Sequence, residues 1–335
     1  MLIAVGSYNT FMDGPGLAVV KLTGDNMEVV AVNEQLKDPI WAEQSKKTGL
    51  LYVSATQENG RNACVGAYRF EDGALTLVSR QDDPGMGNCH LCLNEEETFL
   101  YSANYSDGTV AVFPLDQEGN ILPCIQFFEH QAPLGPQKDR QERTHAHQVS
   151  FRPGTKELFL CDLGADQVVI YLAGEDGKLT LKEELICQPG SGPRHLSFDG
   201  ENAFYLVGEL DGWMSRWEYE AGKWQCSQTL SSLPEGYAGP TNTAAAVRQD
   251  EGHVYLSNRG HDSIAVFKKL KNGWLEKPFF IRTPGTFPRD FLLMNGGFLL
   301  AQQNSGTVTY MNENGVPLAQ VKIPGAVSLL VIDEK

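Results

Sequence analysis

Long apolar runs are missing from this 335-residue chain. No stretch is long enough to cross a bilayer and Met1 opens no signal-peptide pattern, so the expectation is a soluble, cytoplasmic protein. Cationic charge is scarce as well. The 27 Lys and Arg stand against 42 Asp and Glu, a net charge of −15, which opposes attraction to nucleic acid or to an anionic membrane. Cysteine is sparse and odd in number, seven residues scattered along the chain. That argues against a disulfide framework and fits a reducing compartment. In Cys89-His90-Leu91-Cys92 the two thiols are three apart, so on a strand they face opposite sides, and no second pair completes a zinc site. They are read as buried apolar residues.

What is present is repetition. A unit of roughly fifty residues recurs seven times, each an apolar strand, a short break, a second strand often led by an aromatic, a polar turn and two further alternating strands. The second strand is the clearest: Leu51-Tyr52-Val53-Ser54, Leu100-Tyr101-Ser102-Ala103, Leu158-Phe159-Leu160-Cys161, Phe204-Tyr205-Leu206-Val207, Val254-Tyr255-Leu256-Ser257, Phe298-Leu299-Leu300-Ala301 and Ile3-Ala4-Val5-Gly6. One four-stranded sheet cannot bury its faces alone, so the repeats must stack. The spacing predicts an all-β chain, a seven-bladed β-propeller of four-stranded antiparallel blades, forming one domain over residues 1–335. The Ile3 copy has no strand before it, and Ala326 to Ile332 supplies the missing one. One blade is therefore shared by the two ends, which closes the ring and removes an open edge.

In such a blade the innermost strand begins where the second strand ends, so these points from all blades ring one mouth of the central channel. Strand starts at Asn88-Cys89-His90, His145-Ala146-His147, Pro193-Arg194-His195 and Pro288-Arg289-Asp290, and strand ends at Asn104-Tyr105, Gly208-Glu209 and Asn258-Arg259, gather four of the seven histidines and three arginines there. His145 and His147 are two apart, so a regular strand aims both rings the same way. Arg194 and Arg259 offer planar forks for a carboxylate or phosphate. A carboxylate at Glu209, a histidine and two arginines around one cavity form an acyl-hydrolysis set: a base, a proton carrier and cations for developing negative charge. The plainer alternative is a structural ion pair between blades. Asp162 and Asp166 read as turn-holding side chains, and Gly190, Gly192 and Pro193 as shaping the turn that presents Arg194.

His145-Ala146-His147, Asp162-Leu163-Gly164-Ala165-Asp166, Gly190-Ser191-Gly192-Pro193-Arg194-His195, Glu209-Leu210, Asn258-Arg259-Gly260-His261-Asp262-Ser263-Ile264 and Phe287-Pro288-Arg289-Asp290-Phe291 together resemble the signature segments of the seven-bladed propeller lactonases. That family includes the bacterial propeller-type 6-phosphogluconolactonase and the fungal carboxymuconate-lactonising enzyme. The resemblance covers essentially the whole chain. It departs at Gly87 to His90, which lacks a proline, and at Gln302-Gln303-Asn304, a shifted Asn-Gln pair. It implies an enzyme that needs no metal or other cofactor, with its pocket at one channel mouth. Matched motif by motif, the acid/base glutamate falls on Glu209, the histidine on His147 with His145 as the neighbouring alternative, and the arginines on Arg194 and Arg259. His145, His195, Arg289, Asn104 and Asn258 are the expected substrate contacts.

The expected substrate is a small anionic sugar lactone or a carboxylated lactone. The leading reading is hydrolysis of 6-phospho-D-glucono-1,5-lactone, in the oxidative pentose phosphate pathway. A carboxymuconate-type lactonising enzyme and a non-catalytic propeller that displays a partner-binding face are the rivals. A metal-dependent lactonase is the fourth reading, which activity after chelation would remove.

Overall fold

The structure is a computed structural model that describes residues 1–57 and 62–332. The expected 1–335 domain thus takes in residues 58–61 and 333–335, which lie outside the described residues. Strands, turns and bends make up the described chain, with no helix. Seven four-stranded antiparallel sheets follow one another in chain order. Their innermost strands are Lys37–Gln44, Asn88–Leu93, Ala146–Phe151, Pro193–Phe198, Thr243–Gln249, Pro288–Met294 and Ala326–Ile332. The last of these pairs with Leu2–Ser7, in the register Ile3↔Val331 and Val5↔Leu329. The ring is therefore a seven-bladed β-propeller shut by strands from both ends.

Burial is almost complete on the second strand of each blade, partial on the innermost strand and lower on the outermost one. Leu158 to Asp162 are all buried, whereas Lys223–Ser231 buries little beyond Trp224. The apolar core lies between blades rather than within one: Phe159 and Cys161 pack against Leu196, Phe204, Trp217 and Trp224 of the following blade.

The aromatic that leads the second strand has a task of its own. Tyr52, Tyr101 and Tyr205 are buried, and each hydroxyl donates to a glycine carbonyl in the outer turn of the next blade: Gly119 at 2.8 Å, Gly177 at 3.0 Å and Gly273 at 2.6 Å. Each ring fills the interface while its hydroxyl fixes the rotation of one blade on another. Tyr101→Phe is expected to lower unfolding free energy by about 1–2 kcal/mol, since the Gly177 carbonyl then loses a buried donor. Denaturant titration reads this, and an unchanged midpoint would show the bond to be dispensable.

Candidate active site

Every innermost strand breaks its register at the same place, just after it enters the sheet. Asn88 pairs with Asn104 but His90 with Ala103, leaving Cys89 as an extra residue. The same slip isolates His147 between Ala146 and Gln148, Arg194 between Pro193 and His195, and Arg289 between Pro288 and Asp290. A β-bulge turns its extra side chain out of the pleat. At this end of the strands, that re-aims Cys89, His147, Arg194 and Arg289 toward the channel mouth. The other three blades also slip here, but fill the position with Asp38 to Ile40, Ala245 and Ala246, or Val327.

Cys89, His147 and Arg289 line a cavity of about 640 Å³ whose wall also includes Glu209, Arg259, Arg140 and Tyr105. Glu209 is its electrostatic centre. Its backbone is pinned between blades, donating to the Gly192 carbonyl at 2.8 Å and accepting from the Ala244 N–H at 3.1 Å. Its Oε2 accepts from Arg194 Nε at 2.8 Å and lies 2.8 Å from Arg259 Nη2, while Oε1 accepts from Arg140 Nη2 at 2.6 Å. His147 Nε2 stands 4.0 Å from Oε2.

Burial alone would raise the Glu209 carboxyl, but the charges of Arg259, Arg194 and Arg140 together hold it well below the ordinary carboxylate range. Burial and the repulsion of Arg259 push Arg194 down to about 9, which leaves it charged at neutral pH. Burial, with the Arg194 charge beside it, holds His147 well below its usual value. At pH 7 the site is thus an ionised carboxylate, guanidinium cations and a neutral imidazole whose Nδ1 has no hydrogen-bond partner among the described residues.

Several expected contacts sit elsewhere. His145 precedes the strand. It lies outside the cavity wall, its Nδ1 2.7 Å from the Tyr105 carbonyl and its Nε2 3.2 Å from Glu142 Oε1. The bulge at His147 is why two residues at even spacing do not share a face. His195 lies deeper in the channel, packed edge-on to His147 at 5.3 Å between ring centres. Arg194 stands behind Glu209, with Nη1 donating to the Ala245 carbonyl at 2.8 Å. Asn104 and Asn258 do not face the cavity. Both are fully buried, and their amides donate to Asp83 Oδ1 at 2.9 Å and to the Ser232 carbonyl at 2.7 Å. Hydrogen bonds that satisfy a buried amide leave it nothing to offer a substrate. Asp162 and Asp166 do hold turns: Asp162 Oδ1 accepts from the N–H groups of His145, Gly164 and Ala165, and Asp166 from those of Gly190 and Gly192.

The repeat pattern placed Tyr105 at the channel mouth without giving it a role, and it did not point to Arg140 or Phe287. Arg140 belongs to the break between Gln126–Glu129 and Ala146–Phe151, the longest connection in the ring. Length of this kind without secondary structure is itself a sign of function. Phe287 carries a φ of 62°, a conformation that costs a bulky residue about 1–3 kcal/mol. Asp262 Oδ1 and the Gln303 N–H bond its backbone at 2.8 and 3.1 Å, and its ring faces the Arg259 guanidinium at 5.2 Å.

A buried carboxylate, arginines and an imidazole gathered at one channel mouth are groups that can hold an anion and move a proton. The chain belongs to the family described as lactonase, 7-bladed beta-propeller, whose profile matches residues 2–316. Among curated relatives, an uncharacterized protein of Staphylococcus aureus is 31% identical over 320 residues, 92% of each chain. Among solved structures, the periplasmic gluconolactonase of Pseudomonas aeruginosa superposes with a TM-score of 0.89 at 26% identity, covering 99% of each chain. A candidate 6-phosphogluconolactonase of Bacteroides fragilis does so at 0.86 and 26%, covering 99% of this chain and 98% of the other.

Proposed function

We propose that the protein hydrolyses a lactone that carries an anionic group, with 6-phospho-D-glucono-1,5-lactone the leading substrate. The observation that carries this reading is the ionised Glu209 carboxylate beside neutral His147 and Arg259 on the cavity wall. Water held at the free lone pair of Glu209 Oε1 gives that carboxylate its proton as its oxygen attacks the lactone carbonyl carbon. Negative charge develops on the carbonyl oxygen, where Arg259 stabilises it; a donor so placed contributes about 3–4 kcal/mol. The bond from the carbonyl carbon to the ring oxygen then breaks, and His147 passes the proton from Glu209 to the leaving oxygen. The product carboxylic acid ionises to solvent.

Arg289 is assigned to the remote anionic group. It lines the cavity with no carboxylate partner among the described residues; its Nη1 donates to Gln303 Oε1 at 3.3 Å and its guanidinium faces the Tyr8 ring at 5.5 Å. Arg289→Gln is expected to raise KM for the phosphorylated lactone about tenfold or more, the worth of one charge-assisted bond, with kcat falling far less. Initial rates on 6-phosphogluconolactone, glucono-1,5-lactone and a carboxylated muconolactone test the substrate. A strong preference for the carboxylated, unphosphorylated acid would favour the lactonising reading, and turnover of none of the three would remove the enzyme reading. Activity is expected to survive chelation, because the arginines around Glu209 repel a cation.

A further inference from the structure

Glu209 is held by guanidiniums of two kinds. Arg194 and Arg259 stand on strands, are 3% and 4% exposed, and are also tied to backbone carbonyls: Arg194 Nη1 to Ala245 at 2.8 Å, Arg259 Nη2 to Ala244 at 3.1 Å. Both engage Oε2. Arg140 stands on a loop, keeps its side chain 39% exposed, and engages Oε1. Among the described residues its guanidinium bonds no backbone carbonyl and has one other partner, the Tyr105 hydroxyl at 3.2 Å. The loop itself is fixed. Gln141 Nε2 donates to the Leu163 carbonyl at 2.9 Å and to Asp166 Oδ1 at 2.8 Å, and Gln137 Nε2 to the Gly190 carbonyl at 2.8 Å. Freedom to move therefore resides in the Arg140 side chain, not in its backbone.

A carboxylate oxygen has about two lone-pair sites. Oε2 uses both on the buried arginines, and Oε1 has one occupied by Arg140. We propose that Arg140 is a movable counterion: the anionic group of the substrate, phosphate or carboxylate, draws its guanidinium off Glu209, and the oxygen Oε1 that holds the attacking water becomes a stronger base. A planar fork accepts a phosphate or carboxylate in two parallel bonds where it now makes one contact to Glu209, so the exchange is favoured when such a group enters the cavity. Arg140 is then a positioning residue that makes turnover, and not only binding, depend on substrate charge. A neutral lactone meets a carboxylate whose basicity Arg140 still lowers. This inference rests on the lactone-hydrolysis reading of the site.

Arg140→Gln separates the possibilities. In the wild type, kcat for the phosphorylated lactone should exceed kcat for the neutral one; in the variant that ratio should collapse by about tenfold, the worth of one bond to a charged group. The acid limb of kcat/KM should move to higher pH, because removing a nearby cation favours the protonated carboxyl. Loss of activity in equal proportion on both lactones, with the acid limb unmoved, would overturn the proposal. Glu209→Gln, assayed alongside, separates the two readings: if it keeps full activity the base assignment itself fails, whereas an inactive Glu209→Gln leaves the Arg140 result to be judged alone. Titration calorimetry with inorganic phosphate needs no turnover. Binding about tenfold weaker in Arg140→Gln than in the wild type supports the proposal, and equal affinity overturns it.

Discussion

Glu209→Gln is expected to lower kcat by at least about a hundredfold, the usual minimum for removal of a positioned general base. The amide keeps the size and shape of the side chain but carries no charge, so it takes no proton from water and gives none to His147. A second effect accompanies the first. Arg194, Arg259 and Arg140 converge on that one carboxylate, and without it two nearly inaccessible guanidiniums face each other uncompensated. Breaking a buried ion pair from one side costs about 3–5 kcal/mol. The variant should therefore melt at lower temperature, and millimolar phosphate or sulfate should restore part of the loss by occupying the vacated charge. Rate measurements at substrate saturation, made below the melting range, keep the two effects apart. A folded Glu209→Gln enzyme with wild-type kcat would end the assignment of Glu209 as the base.

Acid should unfold the protein from about pH 6 downward, well before its carboxylates titrate. His90, His147 and His195 pack together in the channel, with His90 stacked on Trp41 at 4.0 Å and edge-on to His195 at 5.6 Å. Burial, reinforced by arginine charge, lowers all three; His90 falls to about 3 and the others well below their ordinary value. In the unfolded chain they titrate near 6.5. Below that pH the unfolded state binds protons that the folded state does not, so stability falls as pH falls. Each histidine contributes about 1.4 kcal/mol per pH unit, or about 4 kcal/mol per unit for the three together. Glu209 acts later and in the same direction. Its folded value is depressed, so the stability it confers is present above the ordinary carboxylate range and is lost below it. Thermal midpoints measured from pH 8 to pH 4 check this, and His90→Gln should flatten the slope by about a third. A midpoint that stays level between pH 7 and pH 5 would refute it.

The ring was legible because its signal is local and repeated. An alternating strand with an aromatic at its second position recurs at Tyr52, Tyr101 and Tyr205, and the same pattern at the two ends left one strand to be supplied by Ala326–Ile332. The gathering of Glu209, Arg194 and Arg259 could be read from equivalent positions in successive copies. The bulges could not. A slip of one residue is invisible in a period of two, yet it turns His147 to the cavity and leaves His145 against Tyr105. Asn104 and Asn258 were misread for a related reason. Being at the right position in the repeat says nothing about whether a neighbouring Asp83 or Ser232 has already taken the amide.

The amino-acid sequence by itself determined the number of blades, the closure of the ring and the mouth at which charged residues collect, because each follows from strand periodicity and the order of copies. Only the tertiary structure decided which of those residues share a cavity. Arg140 and Glu209 are 69 residues apart, and nothing in either local sequence specifies the meeting. It arises because a loop anchored on two neighbouring blades crosses the channel mouth, where three guanidiniums find one buried carboxylate.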